Sequence, residues 1–284
     1  MPAFRLRLRD DRIVSLSTPS VMGIINLSPD SFYRPYSSAD DIRKTIEQMV
    51  VAGADFIDVG GEATNLSVDL NHSPNVQQQL DRVLPWVEWI ARQFPVLISV
   101  DTSEPQVMRE AVARGAHLIN DQRGLQRPGA LATVAELKTP VCVMHFFTAA
   151  RQPGSCSLPE LLAMMTADLS IRAGQCRTAG LSADQIIIDP GFGQGHYCKN
   201  AEENYYLLAH LDAFTSLGFP VLTGWSRKSM IGDTLGVAAP QRLYGSIAAA
   251  TLAAVKGAAI LRVHDVAETR DAVNIFRAMD VHYG

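Results

Sequence analysis

Eight times along this chain a short apolar run ends abruptly in amides, hydroxyls or carboxylates, and that recurrence limits the folds open to it more than any other feature. The first is Val21-Met22-Gly23-Ile24-Ile25, which gives way to Asn26-Leu27-Ser28-Pro29-Asp30. The same event ends Phe56-Ile57-Asp58-Val59-Gly60, Leu97-Ile98-Ser99-Val100-Asp101, Leu118-Ile119-Asn120-Asp121 and Val141-Cys142-Val143-Met144-His145. It recurs at Ile186-Ile187-Ile188-Asp189, Val221-Leu222-Thr223 and Ile260-Leu261-Arg262-Val263-His264. Runs of this kind suit parallel strands covered on both faces. Pro29 cannot donate to a continuing ladder, so Asn26 and Asp30 belong to a strand end and its loop.

Between the runs lie segments long enough for one helix each, with apolar residues at helical spacing. Helices are expected over 39–53, 74–94, 104–115, 158–180, 202–216, 240–256 and 266–280, with a shorter one over 128–137. Ser37-Ser38, Ser73-Pro74, Thr102-Ser103 and Ser157-Leu158-Pro159 supply capping chemistry near four of their starts. Eight strand–helix units most economically close into a (β/α)8 (TIM) barrel, an α/β fold whose reactive groups stand at the carboxyl ends of its strands. A doubly wound open sheet would carry a glycine-rich phosphate loop after its first strand, and none follows Ile25. Residues 3–16, with Arg5, Arg7, Arg9 and Asp10-Asp11 around a turn, read as a short N-terminal β-hairpin closing the barrel bottom.

Composition fits one domain over residues 1–284. The 47% of hydrophobic residues suffices for a large core, and a net charge of −4 gives no general attraction for nucleic acid or anionic membrane. Any anion site must therefore be local. Cys142, Cys156, Cys176 and Cys198 form no close pair, which points to reduced thiols and a cytoplasmic protein. The N-terminus lacks a signal-peptide apolar region, and no charge-free segment reaches membrane-spanning length. His145, His196 and Cys198 have no metal-ligand spacing.

The residue types at the strand ends indicate a ligand. Asp58, Asp101, Asp121 and Asp189, with Asn26 and Asn120, suit the donor-rich edge of a planar heterocycle, since a carboxylate accepts paired N–H bonds from a guanidine-like fragment. Asp121 is evenly divided, because an Asn-Asp pair also starts turns. Arg262, His264, Arg227 and Lys228 come from the last two strands, where barrels often hold phosphate. The expected rim has an acidic, base-reading half and a cationic, phosphate-reading half, as a heterocycle joined to a diphosphate requires.

Several ordered motifs then carry a family resemblance. Gly-Ile-Ile-Asn-Leu-Ser-Pro-Asp-Ser-Phe (23–32), Ile-Asp-Val-Gly-Gly-Glu-Ala-Thr (57–64), Ser-Val-Asp-Thr (99–102) and Ile-Asn-Asp (119–121) open the series. Val-Met-His (143–145), Asp-Pro-Gly-Phe-Gly (189–193), Ser-Arg-Lys-Ser (226–229) and Arg-Val-His-Asp (262–265) complete it. Together they span residues 21–280 and resemble the dihydropteroate synthase family of pterin-binding barrels. The resemblance implies a (β/α)8 barrel, usually a homodimer, acting on small molecules alone. It implies a transferase that joins 6-hydroxymethyl-7,8-dihydropterin diphosphate to 4-aminobenzoate, releasing pyrophosphate in folate biosynthesis. Asp101, Asn120, Asp189 and Lys228 would hold the pterin, with Met144 beneath it and Asp58 nearby, and Asp101 and Lys228 would act catalytically. Asn26 would help bind Mg2+ on the diphosphate, which Arg262 and His264 would hold.

Departures concentrate where the acceptor would bind. Tyr33-Arg34-Pro35-Tyr36 stands where the family has Ser-Asp-Gly-Gly, and Ala63-Thr64-Asn65-Leu66-Ser67 where it has Ser-Thr-Arg-Pro-Gly. Gln194-Gly195-His196 replaces Phe-Gly-Lys and is followed by a short insertion containing Tyr197-Cys198-Lys199. The acceptor set on this chain is thus Thr64, Asn65, Gln194, Ser229 and Arg34, the last standing in for the missing arginine. An altered acceptor site implies insensitivity to sulfonamides. The alternative is a diverged paralogue that binds pterin diphosphate but uses another amine or has lost turnover.

Overall fold

Strands that are apolar on both faces need two different coverings, and the eight runs provide them by closing on one another. A computed structural model of the chain describes residues 4–28, 36–62, 74–147 and 151–283. A hairpin comes first: β1 (Phe4–Arg7) pairs antiparallel with β2 (Ile13–Leu16). The barrel strands are β3 (Ser20–Asn26), β4 (Phe56–Gly60), β5 (Leu97–Asp101), β6 (Leu118–Asp121), β7 (Val141–Met144), β8 (Ile186–Asp189), β9 (Leu222–Thr223) and β10 (Ile260–Val263). All are parallel, in the order β8-β7-β6-β5-β4-β3-β10-β9. A single bridge from Ile188 to Val221 joins β8 to β9 and closes the ring.

Side chains alternate faces along each strand, and that parity divides the core in two. Val21, Ile25, Ile57, Val59, Val100 and Ile119 point outward into the layer beneath the helices. Met22, Phe56, Leu118, Cys142, Ile187, Leu222 and Ile260 point inward and form an apolar floor with Leu6, Leu8 and Leu16 of the hairpin. The hairpin thus plugs the amino-terminal end of the barrel, as its sequence suggested. Two positions further along five of these strands, the inward series becomes Asp58, Asn120, Met144, Asp189 and Arg262. The polar layer therefore rests directly on an apolar floor.

The helices are α1 (Ala39–Val51), α2 (Val76–Gln93), α3 (Pro105–Ala113), α4 (Ala130–Leu137), α5 (Leu158–Thr178), α6 (Ala201–Ala209), α7 (Asp212–Thr215), α8 (Ser229–Leu235), α9 (Leu243–Val255) and α10 (Val266–Tyr283). Ser38 caps α1, and capping boxes at Asn75–Gln78, Ser157–Glu160 and Asn200–Glu203 start α2, α5 and α6. Two expectations need correction. The single helix over 202–216 is two, because His210 departs from helical geometry after α6. The short α8 lies ahead of the expected 240–256 helix, too brief for a periodic signal. The four cysteines are free thiols. Among the described residues, no helix is long and apolar enough to cross a membrane.

Candidate active site

Asp58 is fully buried at the centre of the polar layer. Ser99 Oγ donates to its Oδ1 at 2.5 Å, while Asn120 Nδ2 and Arg262 Nε donate to its Oδ2 at 3.2 and 2.6 Å. Arg262 Nη2 also donates to Asp101 Oδ2 at 2.8 Å, so one guanidinium clamps two carboxylates. The two expected halves of the rim are therefore interlocked, with Arg262 lying among the acids. Burial opposes its charge, yet Asp58 and Asp101 outweigh that and hold its proton more tightly than usual. Asp101 is pushed above the ordinary carboxylate range by burial, with Arg262 pulling against the rise and Asp58 adding to it.

Asp189 ends β8 beside this clamp, and its Oδ1 accepts the Gly191 N–H at 2.7 Å. Burial raises its pKa, while the Gly191 N–H, Lys228 and Arg262 favour the anion. Lys228 Nζ donates to Phe192 O and lies 4.7 Å from the Tyr197 ring centroid. Burial lowers its pKa to about 8, against the pull of Asp189. His264 is lowered to about 3 by burial and then by Arg262, Arg227 and Lys228, so near neutral pH it is an uncharged ring. Ser226 Oγ accepts the His264 backbone N–H at 3.1 Å and lies 3.0 Å from its Nδ1. At the end of β3, Asn26 Oδ1 accepts the Ser28 N–H at 3.0 Å.

Two residues of the sequence-based array stand apart. Asp121 has the opposite parity to Asn120 and faces outward, where Ser103 Oγ and the Arg123 and Leu125 N–H groups satisfy it at 2.5, 2.8 and 3.1 Å. It is the turn residue that its Asn-Asp context also allowed. Arg227, with a left-handed φ of 60°, turns its guanidinium onto Asp265 at 2.6 and 2.8 Å. Of the acceptor set, Gln194 Nε2 donates to Asp233 on α8 at 2.9 Å, and Ser229 opens α8. Thr64, Asn65 and Arg34 lie outside the described residues.

This geometry and the matches to known proteins agree. Residues 22–264 match the family described as pterin binding enzyme. The dihydropteroate synthase of Escherichia coli is 44% identical over 271 residues, covering 93% of each chain. The chain belongs to the dihydropteroate synthase family. A solved dihydropteroate synthase from Coxiella burnetii, in complex with pteroic acid, is 53% identical with a TM-score of 0.93 and 98% coverage of both chains. The Xanthomonas albilineans dihydropteroate synthase with 4-aminobenzoic acid is 40% identical with a TM-score of 0.88, again covering 98% of both.

Against that dihydropteroate synthase background, several residues around the clamp escaped the sequence reading. Lys199 is 1% exposed, donates to Tyr197 O at 3.0 Å and lies 5.4 Å from the Phe147 ring centroid. Burial and the neighbouring Lys228 lower its pKa to about 7. Its signal was its place just before the Asn200–Glu203 capping box, which anchors it to a helix start. Glu62 and Arg123 pair at 2.7 and 3.0 Å across the top of β5, and Gln122 Nε2 donates to Asp101. Gly193, at φ 150°, leaves room for Tyr197: a Cβ there would lie 2.5 Å from the ring. Gly193→Ala is therefore expected to cost about 1–3 kcal/mol in stability, measured by denaturant unfolding, with Tyr197 displaced. An unchanged unfolding midpoint would show that the loop shifts without strain.

Proposed function

We propose that the chain joins 6-hydroxymethyl-7,8-dihydropterin diphosphate to 4-aminobenzoate, yielding 7,8-dihydropteroate and pyrophosphate for folate biosynthesis. The observation carrying this reading is the layer of Asp58, Asp101, Asn120, Asp189 and Lys228 around Arg262, a set of acceptors and cations on an apolar floor. Asp101 and Asp189 would accept the ring N–H groups, Asn120 and Lys228 would meet the ring's acceptors, and Met144 would lie under its face. Asp58 would act from behind, holding Asn120 and Arg262. Two of the five N–H donors of Arg262 serve the carboxylates, which leaves donors for a diphosphate oxygen. Neutral His264 would add a hydrogen bond. In the reaction the methylene C–O bond breaks, and pyrophosphate leaves with the electron pair. The arylamine nitrogen then bonds to the electron-poor methylene and loses a proton. Asp101 and Asp189 would stabilise the developing positive charge, and Arg262 with Lys228 the departing negative charge.

Mg2+ belongs to the same reading. It prefers oxygen ligands and usually arrives on substrate phosphates with few protein ligands. The Asn26 carbonyl oxygen fits that role, and among the described residues no cluster of three His, Cys, Asp or Glu forms a dedicated cage. When bound, the ion would supply charge neutralisation on the leaving diphosphate. The acceptor would be held by Thr64, Asn65, Gln194, Ser229 and Arg34. A cytoplasmic homodimer completes the reading, supported by the free thiols and by Leu252, Val255 and Ile275, which are exposed on α9 and α10. Sedimentation as a monomer would remove the dimer.

Pyrophosphate release, assayed with pterin diphosphate with and without 4-aminobenzoate, tests the whole. Release that requires the acid is expected. Release without it would indicate hydrolysis, and none in either case would remove the proposal. The pH dependence follows from Lys228, which is charged below about pH 8 and neutral above it. As pH rises through that value, kcat/KM is expected to fall, and Lys228→Arg should move the limb upward. An unmoved limb would assign it elsewhere. At the acceptor side, loss of the family's arginine and phenylalanine predicts weak binding of 4-aminobenzoate and sulfonamides together, by roughly 1–3 kcal/mol per lost contact. Titration of both compounds checks it, and tight sulfonamide binding would show a rebuilt pocket.

A further inference from the structure

Asp101 is held by more than its arginine. Gln122 Nε2 and Arg262 Nη2 both donate to the same oxygen, Oδ2, and among the described residues Oδ1 is left for a ligand. Gln122 sits in a turn pinned from two sides: Asp121 binds the Arg123 and Leu125 N–H groups, and the Arg123 guanidinium grips Glu62 at the end of β4. A glutamine amide has two ends, and only its NH2 can meet a carboxylate favourably. The Tyr197 hydroxyl donates to Gln122 Oε1 at 3.2 Å, which sets the amide with its NH2 end toward Asp101. Tyr197 is itself fixed by Lys199 at its carbonyl, by Lys228 against its ring and by the bare Gly193 behind it.

We propose that Gln122 and Tyr197 form a positioning relay, Tyr197 to Gln122 to Asp101, which aims the Asp101 carboxylate at the pterin ring and ties it to the loop after β8. The relay rests on the reading of Asp101 as a pterin-binding residue. Because that loop also carries Gln194, movement on the acceptor side is transmitted to the pterin carboxylate through two hydrogen bonds. Tyr197 acts through Gln122, and Gln122 through Asp101.

A double-mutant cycle tests it, with pterin diphosphate binding measured calorimetrically on the full chain. Gln122→Leu is expected to weaken binding roughly tenfold, and Tyr197→Phe, which keeps the ring, roughly threefold. In the Gln122→Leu background, Tyr197→Phe should have no further effect, a coupling that a ring serving only the packing of its loop would not give. Should the leucine variant not fold, Gln122→Asn takes its place, since the shorter amide cannot span both partners. Equal effects of Tyr197→Phe in both backgrounds, or none in either, would overturn the relay. Asp101→Ala is the control. If it binds as tightly as the parent, the pterin reading of Asp101 falls; if it binds weakly while the cycle shows no coupling, only the relay falls.

Discussion

Arg262→Met is expected to be the most damaging single change in the site, lowering both fold stability and pterin diphosphate binding by about 3–5 kcal/mol. The guanidinium clamps Asp58 and Asp101 at 2.6 and 2.8 Å, so its removal strands two buried carboxylates as well as taking a cation from the diphosphate. A residue serving the diphosphate alone would spare binding of the pterin alcohol, which lacks phosphates. The clamp predicts that alcohol binding falls too. The folded pKa of Asp101 already stands above its ordinary 3.8, and loss of the cation raises it further. A carboxyl shifted upward contributes stability below its unfolded pKa and loses it as pH rises through the folded value. The variant's deficit should therefore widen between about pH 5 and pH 8. Urea unfolding at both values, with calorimetry on alcohol and diphosphate, checks each part. A folded variant that keeps alcohol affinity would reduce the clamp to packing.

Asp189→Ala should cost about 2–4 kcal/mol in pterin diphosphate binding while leaving the fold intact, because among the described residues the one hydrogen bond to its carboxylate is from the Gly191 N–H. A second effect distinguishes it from Asp101. Asp189 favours the charged form of Lys228, so its removal should lower that pKa and draw the alkaline limb of kcat/KM toward neutrality. Near-unchanged affinity in a folded Asp189→Ala protein would make the carboxylate structural.

The barrel was legible because its strands carry continuous apolar runs and four of its helices, α1, α2, α5 and α6, start with side-chain caps, both local signals. The site was legible where residues share strand parity: Asp58, Asn120, Asp189 and Arg262 all face inward for the same reason that Met22 and Phe56 do. Asp121 shows the limit of proximity in sequence, since adjacent residues on a strand must point oppositely, and only one of Asn120 and Asp121 can face inward. The pairing of Arg262 with Asp58 was beyond reach, because 204 residues separate partners that meet only once the ring closes. Gln122 was hidden for a related reason, and Tyr197 and Lys199 were visible only as part of an insertion. Their contacts run between loops, and no periodicity records how one loop leans on another.

The ring of strands is not equally strong around its circumference. Between β8 and β9 it is held by one bridge, whereas β3 and β4 share five register pairs. Asp189 ends β8 and Lys228 lies just past β9, on either side of that thin seam, so a ligand held by both would also bridge it. In the proposed reading, a pterin held by both residues would couple occupancy of the site to closure of the wall, adding binding energy where the backbone ladder has least of its own.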